Sequence, residues 1–368
     1  MICQLLLALF LFSDGKNSDS AWDCTPTELR QEDSVMFYDG QQFDVIGRYH
    51  REKNYVRFSQ QYKSILRDNV WNLGQNSAGV GIRFRTNATT IIVRWTVMNE
   101  ANLLHMPATG VRGVDLYTHN NGQWQYIRTG FPSKKTTEYE LFSKGDGVSR
   151  EYLLNLPLYD GVESLEIGVN ASAEISAAKE TFLLDKAPVV YYGTSITQGG
   201  CASRPGLAFT NILSRQLDRP FINFGFSGNG TIETSVGQAM CEIEAALYVI
   251  DCNPNTQLEL IYDRTVELVQ LLKKQRSDVP VLLVEGFKNE AHYFNLASGV
   301  NDIVEKKQKE LKRAFDTLRK SGITKLYYHK GDGLIGEDHE GTVDGIHPND
   351  VGMMRIAEGM LPVIKKIL

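Results

Sequence analysis

The sequence predicts two domains of different class, an antiparallel β-sandwich followed by a doubly wound α/β domain. Up to about residue 170, short runs of β-branched and aromatic residues alternate with turns rich in Gly and Asn. After residue 173, short apolar strands alternate instead with segments of helical periodicity. The length of 368 residues also exceeds what one ordinary domain requires.

The predicted sandwich, residues 25–172, rests on strand-like runs spaced by roughly ten residues. Turn clusters such as Asn120–Gly122 and Lys144–Gly147 separate them, and the pattern shows no convincing helix between them. Short strands without intervening helices are typical of two packed antiparallel sheets. The predicted strands are Thr89–Val97, Val114–Thr118, Gln123–Thr129, Thr137–Phe142, Glu151–Leu156 and Ser164–Val169.

The predicted α/β domain, residues 173–368, alternates strands and helices in a way that implies a parallel sheet. Because the carboxyl ends of parallel strands meet at one edge, a functional site is expected there. The predicted strands are Val189–Tyr192, Phe221–Phe224, Leu247–Asp251, Val279–Val284 and Lys325–His329, and the predicted helices are Phe209–Leu217, Ser235–Ile243, Gln257–Gln275 and Asn301–Lys320.

Charge and hydropathy exclude two classes of partner. The formal net charge of −5 gives no electrostatic basis for binding nucleic acid or an anionic membrane. No internal apolar run reaches the ~18 residues that a membrane-spanning helix needs. We therefore expect a protein without a transmembrane segment once the N-terminal segment described next is removed.

The N-terminus has most features of a secretory signal peptide, predicted here as residues 1–20. Ile2–Phe12 is almost entirely apolar, and Ser18 and Ser20 suit the small positions of a cleavage site. The basic residue that normally precedes the apolar run is missing. We expect export to the periplasm or the extracellular space, and the alternative is a buried N-terminal strand or helix.

The five cysteines do not define a disulfide framework. A protein of this size does not need disulfides to fold, so Cys24, Cys201, Cys241 and Cys252 are expected to be mostly free and buried. No Cys or His spacing indicates zinc binding, and the sequence predicts no metal site.

Three residues suggest nucleophilic catalysis. Ser195 follows the first strand of the α/β domain, and Asp344 and His347 stand three residues apart before a predicted C-terminal helix. A serine hydroxyl needs a base, and the base needs an orienting carboxylate. Taken singly, the three residues also fit a helix cap, a turn and a helix start. Together they predict a catalytic triad, because the loop after the last strand reaches the same edge as Ser195.

Two further strand ends complete a family pattern. Ile222–Gly228 (INFGFSG) ends the second strand, and Asp251–Asn255 (DCNPN) ends the third. The order Gly-x-Ser, Ser-Gly, Asn and Asp-x-x-His resembles the SGNH (GDSL-like) hydrolase family. The N-terminal half of the chain also resembles a sandwich module found fused to SGNH domains. The motifs are Val70–Leu73, Asn76–Gly79, Arg83–Thr86, Val93–Thr96, Met106–Gly110 and Gly113–Tyr117.

The resemblance implies a role for each residue of the site. Ser195 would be the nucleophile and His347 the base, oriented by Asp344, with no metal or organic cofactor. The backbone N–H groups of Ser195 and Gly228 and the side-chain amide of Asn255 would form the oxyanion hole. The resemblance also implies that the α/β domain has a flavodoxin-like sheet and that the sandwich before it is jelly-roll-like.

The blocks depart from the family pattern in two places. The first reads Gly-Thr-Ser-Ile-Thr instead of Gly-Asp-Ser-Leu, and the third reads Asn-Pro-Asn instead of Gly-x-Asn-Asp. Asn253 is therefore an alternative oxyanion donor to Asn255, which the strand-to-loop register favours. Gly225 is the weaker alternative to Gly228.

The implied activity is that of an exported serine esterase that removes acyl groups, first of all acetyl, from oligo- or polysaccharides. The alternatives are a lipid or thioester acylhydrolase and a non-catalytic carbohydrate-binding protein. Arg204 and Asn229 are candidate substrate contacts because they lie close in sequence to the catalytic blocks. A sandwich loop that contains His105 either leans over the site or simply closes a turn.

Overall fold

The structure is a computed structural model that describes residues 28–30, 35–178, 186–288, 290 and 300–368, without the side chains of 28–30 and 300–302. The predicted signal peptide and Cys24 lie outside these residues. Among the described helices, none combines the length and the apolar character needed to cross a membrane.

The N-terminal half consists of antiparallel strands. In chain order they are β1 (Glu28–Arg30), β2 (Val35–Asp39), β3 (Asp44–Ile46), β4 (Gly81–Thr86), β5 (Ile91–Val97), β6 (Val114–Asn120), β7 (Gln123–Gly130), β8 (Thr136–Phe142), β9 (Arg150–Asn155), β10 (Val162–Asn170) and β11 (Ile175–Ala177). Sheet A has the order β1-β2-β10-β5-β8, and sheet B has the order β11-β4-β9-β6-β7, with β3 also paired to β4.

The two sheets enclose one hydrophobic core, which confirms the predicted sandwich. Residues of β5 alternate between buried and half-buried, as expected for a strand with one face in a core. Trp95 on β5 and Phe84 on β4 are fully or almost fully buried in the same cluster. Strand β11 carries sheet B to Ala177, beyond the boundary predicted at residue 172.

Helices α1 (Asp68–Gly74) and α2 (Ala108–Val111) interrupt the strands, contrary to the prediction that this half contains no helix. The segment that leads into α1 packs on the C-terminal half instead of the sandwich. The ring of Phe58 stacks on Phe224 and Phe226, with centroids 4.7 and 5.5 Å apart. Its contacts are long-range, which explains why local sequence patterns did not reveal it.

The C-terminal half is a doubly wound α/β domain, as predicted. Its strands are β12 (Val189–Gly193), β13 (Phe221–Gly225), β14 (Leu247–Asp251), β15 (Val281–Val284) and β16 (Leu326–His329). They are all parallel and have the order β13-β12-β14-β15-β16. The helices are α3 (Ser195–Gln198), α4 (Phe209–Leu217), α5 (Thr234–Cys241), α6 (Leu258–Gln275), α7 (Val300–Lys320) and α8 (Asp350–Ile367).

The order of the sheet locates the crevice. Successive strands are added on one side of β12 and then on the other, so its neighbours β13 and β14 diverge beyond their carboxyl ends. Every residue of β12 and β13 is buried, because helices cover both faces of the sheet. The residues that follow β12, β13 and β14 therefore converge on one site.

Arg57 joins the two halves through a buried guanidinium. Its Nε donates to the carbonyl of Asn76 at 3.0 Å, and Nη2 donates to that of Leu73 at 2.5 Å. Nη1 donates across to the carbonyls of Asn223 and Gly225 on β13, at 3.1 and 2.6 Å. Burial lowers the pKa of Arg57 to about 9, and these carbonyl dipoles offset the desolvation cost together with the ring of Phe226, whose centroid lies 4.9 Å from the guanidinium.

We expect Arg57→Met to lower the free energy of unfolding by ~3 kcal/mol or more, because it leaves several buried carbonyl groups unpaired. Urea denaturation of the full chain would measure the change. Arg51→Met is the matched control, since Arg51 is exposed and its replacement should shift stability by no more than ~0.5 kcal/mol. Equal effects in the two variants would contradict a structural role for the Arg57 hydrogen bonds.

Candidate active site

Ser195 lies where β12 turns into the short helix α3. Thr194 caps this helix, and its Oγ1 accepts a hydrogen bond from the N–H of Ile196 at 3.3 Å. A side chain at Gly193 would come within 2.0 Å of Thr197 Oγ1, so the sharp turn requires glycine there. The turn presents the Ser195 hydroxyl at the carboxyl edge of the sheet.

Ser195, His347 and Asp344 form one chain of hydrogen bonds. Ser195 Oγ lies 2.9 Å from His347 Nε2, and His347 Nδ1 lies 2.7 Å from Asp344 Oδ2. Because an ionised carboxylate only accepts, Nδ1 carries the proton, and Nε2 accepts from the serine hydroxyl. The structure thus brings the three predicted triad residues together in the order that proton transfer requires.

Asp344 is held in its ionised form. Burial of the carboxyl opposes ionisation, but hydrogen bonds from the N–H and ring of His347 and from the N–H of Ile346 outweigh it. These bonds hold the pKa of Asp344 below its usual value. The Oδ1 atom accepts the two N–H groups at 2.7 and 3.0 Å, while Oδ2 faces the ring. A fixed negative charge at this position favours the imidazolium that forms when His347 accepts a proton.

The loop that carries the base is tied to the segment after α3. The N–H of Cys201 donates to the carbonyl of Pro348 at 2.8 Å. Asp350 accepts from the N–H and the hydroxyl of Ser203, at 2.8 and 2.6 Å. Short contacts between these two segments therefore help to set the distance between the serine and the base.

Gly228 and Asn255 are neighbours on the pocket wall. A methyl group on Gly228, whose φ is +66°, would lie 4.0 Å from Asn255 Nδ2. Asn253 also lines the pocket, and its buried Oδ1 has no partner within the described residues. A side chain on Gly225 would lie 2.1 Å from the N–H nitrogen of Gln198, so that glycine packs on α3 and not on the pocket.

The pocket has a volume of about 510 Å³ and combines polar and apolar walls. Ser195, Gly228, Asn255 and His347 all line it, which places the predicted nucleophile, base and two oxyanion donors on one cavity. The apolar lining residues include Ile196, Phe287, Leu334, Ile346 and Ile356.

The two candidate substrate contacts do not line this pocket. Arg204 Nη1 makes a 2.7 Å ion pair with the buried Asp115 of the sandwich, and its guanidinium lies 4.0 Å from the ring centroid of Tyr126. Asn229 accepts a hydrogen bond from Arg67 at 3.2 Å and donates to the carbonyl of Ser227 at 2.8 Å. Both side chains serve contacts between segments of the fold.

The sandwich reaches the site through two residues. Tyr159 donates from its hydroxyl to the carbonyl of Ser195 at 3.0 Å. The ring of His105 lies 5.2 Å from that of His347, centroid to centroid. The loop with His105 therefore leans over the site instead of merely closing a turn.

Asp251 is a pocket residue that the sequence analysis did not single out. It ends β14, and its Oδ2 accepts a 3.2 Å hydrogen bond from Tyr191. The residue is partly exposed to the pocket, but the surrounding protein desolvates its carboxyl and raises its pKa to about 8, against a smaller opposing effect of Tyr191. The sequence feature that could have identified Asp251 is its position, a carboxylate that directly follows an apolar strand.

We expect Asp251→Asn to stabilise the protein increasingly as pH rises from 4 to 8. In this window the folded state binds more protons than the unfolded chain, whose Asp pKa is near 3.8, so the wild type loses up to ~1.4 kcal/mol per pH unit. An amide mimics the neutral carboxyl and removes this loss. Urea midpoints against pH would measure it, with the exposed Asp263→Asn on α6 as control. Parallel pH profiles for wild type and Asp251→Asn would contradict the raised pKa.

Comparison with known proteins agrees with this geometry. Residues 186–365 match the GDSL-like lipase/acylhydrolase family, and residues 35–175 match the N-terminal module of SGNH-hydrolase-type esterases. No curated protein matches the chain significantly.

Several solved structures share the two-part fold. A Bacteroides ovatus protein described as a GDSL-like lipase is 36% identical, with a TM-score of 0.86 over 90% of this chain and 98% of its own. The salicylyl-acyltransferase SsfX3 of a tetracycline biosynthetic pathway is 16% identical, with a TM-score of 0.70 over 94% of each chain. A family two carbohydrate esterase from Clostridium thermocellum, solved with cellohexaose, is 13% identical, with a TM-score of 0.57 over 78% of this chain and 92% of its own.

The two less similar proteins support the fold alone. Stronger evidence comes from the family match and from the Bacteroides ovatus protein, which is 36% identical over nearly its whole length. With Ser195 and His347 joined at the edge of a doubly wound sheet, they show that this chain belongs to the GDSL-like (SGNH) lipase/acylhydrolase family.

Proposed function

We propose that the protein is an exported serine esterase that removes acetyl groups from acylated oligo- or polysaccharides. The observation that carries the esterase chemistry is the hydrogen-bonded chain from Ser195 through His347 to Asp344, open to a pocket lined by Gly228 and Asn255. The apolar segment Ile2–Phe12 supports export to the periplasm or the extracellular space.

In the first half of the reaction, Ser195 Oγ attacks the ester carbonyl carbon while His347 Nε2 takes the hydroxyl proton. The carbonyl oxygen becomes an oxyanion, which the N–H groups of Ser195 and Gly228 and the amide of Asn255 stabilise. When the tetrahedral intermediate collapses, the imidazolium gives its proton to the departing sugar hydroxyl. The acyl group stays on Ser195 as an ester.

In the second half, water replaces the sugar. His347 removes a proton from the water as it attacks the acyl carbonyl, and the same donors hold the second oxyanion. Collapse returns the proton to Ser195 and releases the carboxylic acid. Asp344 holds the ring in one tautomer throughout, which is why its ionised state matters to both halves.

The carbohydrate substrate is inferred from family resemblance, and the pocket supports it only by its position. It lies at an open sheet edge and combines hydrogen-bonding groups with apolar walls, so a small acyl group and part of a sugar can enter together. A carbohydrate esterase that shares the fold was solved with cellohexaose, which makes glycan esters the first substrates to test.

The apolar walls favour a second candidate function, hydrolysis of longer acyl esters or thioesters. The apolar lining, which includes the exposed side chains of Ile303 and Ile346, provides more apolar surface than an acetyl group can cover. The remaining alternative is a non-catalytic carbohydrate-binding protein. It does not explain why Ser195 and His347 are hydrogen-bonded in the arrangement that catalysis needs.

We expect Ser195→Ala to lower hydrolysis of p-nitrophenyl acetate by at least ~10³-fold, because no other group can form the acyl-enzyme. The thermal midpoint should change little, since the hydroxyl's hydrogen bond is to His347 alone among described residues. Labelling by a fluorophosphonate probe should be lost in the same variant. Ser235→Ala, on α5 outside the pocket, is the control and should keep both labelling and activity. Activity that survives in Ser195→Ala would refute the assignment.

We expect acetyl esters to be hydrolysed faster than butyryl and octanoyl esters, and acetate to be released from acetylated xylan, glucomannan or pectin. The ratio of kcat/KM across the three p-nitrophenyl esters would measure acyl preference, with Ser195→Ala as the blank. An octanoyl optimum without acetate release would replace the proposed substrate by lipid or thioester.

A further inference from the structure

Two further side chains with metal-binding chemistry lie next to the proposed base, His347. One ligand atom from each of His105, Cys201 and His347 lies within 4.8 Å of the other two. His105 comes from the sandwich, Cys201 follows α3, and His347 precedes α8. Within the described residues this is the only cluster of His, Cys, Asp or Glu with such proximity.

The ligand set is that of a zinc site. Imidazole nitrogen and thiolate sulfur bind Zn²⁺ at about 2.0–2.3 Å, which places neighbouring ligands of a tetrahedral site roughly 3.5 Å apart. The distances between the ligand atoms must therefore shorten by about 1.3 Å at most. His105 is only partly buried, so its ring can turn inward, whereas Cys201 is only 4% exposed and its Sγ already lies in the cluster.

The surroundings already orient two of the ligands. Asp344 accepts the Nδ1 proton of His347, so the Nε2 lone pair points away from the carboxylate, and a cation competes for it only with the hydroxyl of Ser195. A carboxylate behind a histidine ligand is the usual outer partner in zinc proteins. Cys201 is fixed by the hydrogen bond from its N–H to the carbonyl of Pro348.

We propose that His105, Cys201 and His347 bind Zn²⁺ and that the bound ion inhibits the enzyme. His347 Nε2 is the atom that takes the proton from Ser195, and a cation on its lone pair removes that function. On binding, the Cys201 thiol loses its proton to solvent, and the hydrogen bond from Ser195 Oγ to Nε2 breaks. Water or the serine hydroxyl completes the fourth position. The inhibition rests on the proposed function, but the binding does not.

A spectroscopic test on Ser195→Ala separates binding from catalysis. Co²⁺ occupies zinc sites, and a thiolate ligand gives it a charge-transfer absorption in the near ultraviolet. The full-length Ser195→Ala variant titrated with Co²⁺ should develop this band, and Zn²⁺ should displace it. Adding Cys201→Ser should abolish the band. Adding Cys241→Ser should not, because that half-buried free thiol ends α5 and lies outside the cluster.

An inhibition test uses the wild-type chain. Micromolar Zn²⁺ should suppress p-nitrophenyl acetate hydrolysis, and EDTA should restore it. His105→Ala and Cys201→Ser, each compared with its own metal-free rate, should need at least ~10-fold more Zn²⁺ for half inhibition. His105 is only partly buried, so its replacement tests the site even if Cys201→Ser folds poorly.

Each outcome decides a separate point. A cobalt band that survives Cys201→Ser, or that never forms, would overturn the binding site. Equal Zn²⁺ sensitivity of wild type, His105→Ala and Cys201→Ser would do the same. A band without inhibition would overturn the inhibitory role. If the wild type hydrolyses no ester, the proposed function fails, and the cobalt titration still decides whether the metal binds.

Discussion

The buried guanidinium of Arg57 is the interaction on which the relation between the two halves depends. Among the described residues no carboxylate contacts it, so carbonyl groups and the face of the Phe226 ring offset the cost of removing its charge from water. Those carbonyls belong to the segment around α1 and to the end of β13, which must converge for the charge to be satisfied. Because β13 leads directly to Gly228, the same constraint positions one wall of the pocket.

The sandwich therefore contributes to the site and is not a detached module. Tyr159 fixes the carbonyl of Ser195, and Thr109 donates from its hydroxyl to the carbonyl of Ser203 at 2.6 Å. Ser203 in turn holds Asp350, which begins the helix after His347. A change in the packing of the sandwich would move nucleophile and base relative to each other, and small displacements at that distance strongly affect rate.

Sequence periodicity predicted the elements whose burial follows from local pattern. The bounds of α4 (Phe209–Leu217) and β14 (Leu247–Asp251) agree with the predicted ones, because helical spacing of apolar residues marks the helix and a continuous apolar run marks the strand. Helix α1 was not predicted because its buried residues Val70 and Trp71 belong to the core cluster of the C-terminal half, far along the chain. The ion pair of Arg204 was not predicted for the same reason, since its partner Asp115 lies in the sandwich. The triad could be predicted from the sequence, because the order of the motifs and their positions after strands identify its residues.

Pre-orientation of the base has a second consequence. Asp344 fixes the His347 ring so that the Nε2 lone pair faces the serine, and a lone pair held in place is also what a cation needs. Whether Nε2 acts as a base or as a metal ligand depends on the groups near it. Cys201 and His105 lie close to it, and His105 comes from the sandwich. The domain that braces the nucleophile thus also supplies the side chain that completes a competing set of ligands around the base.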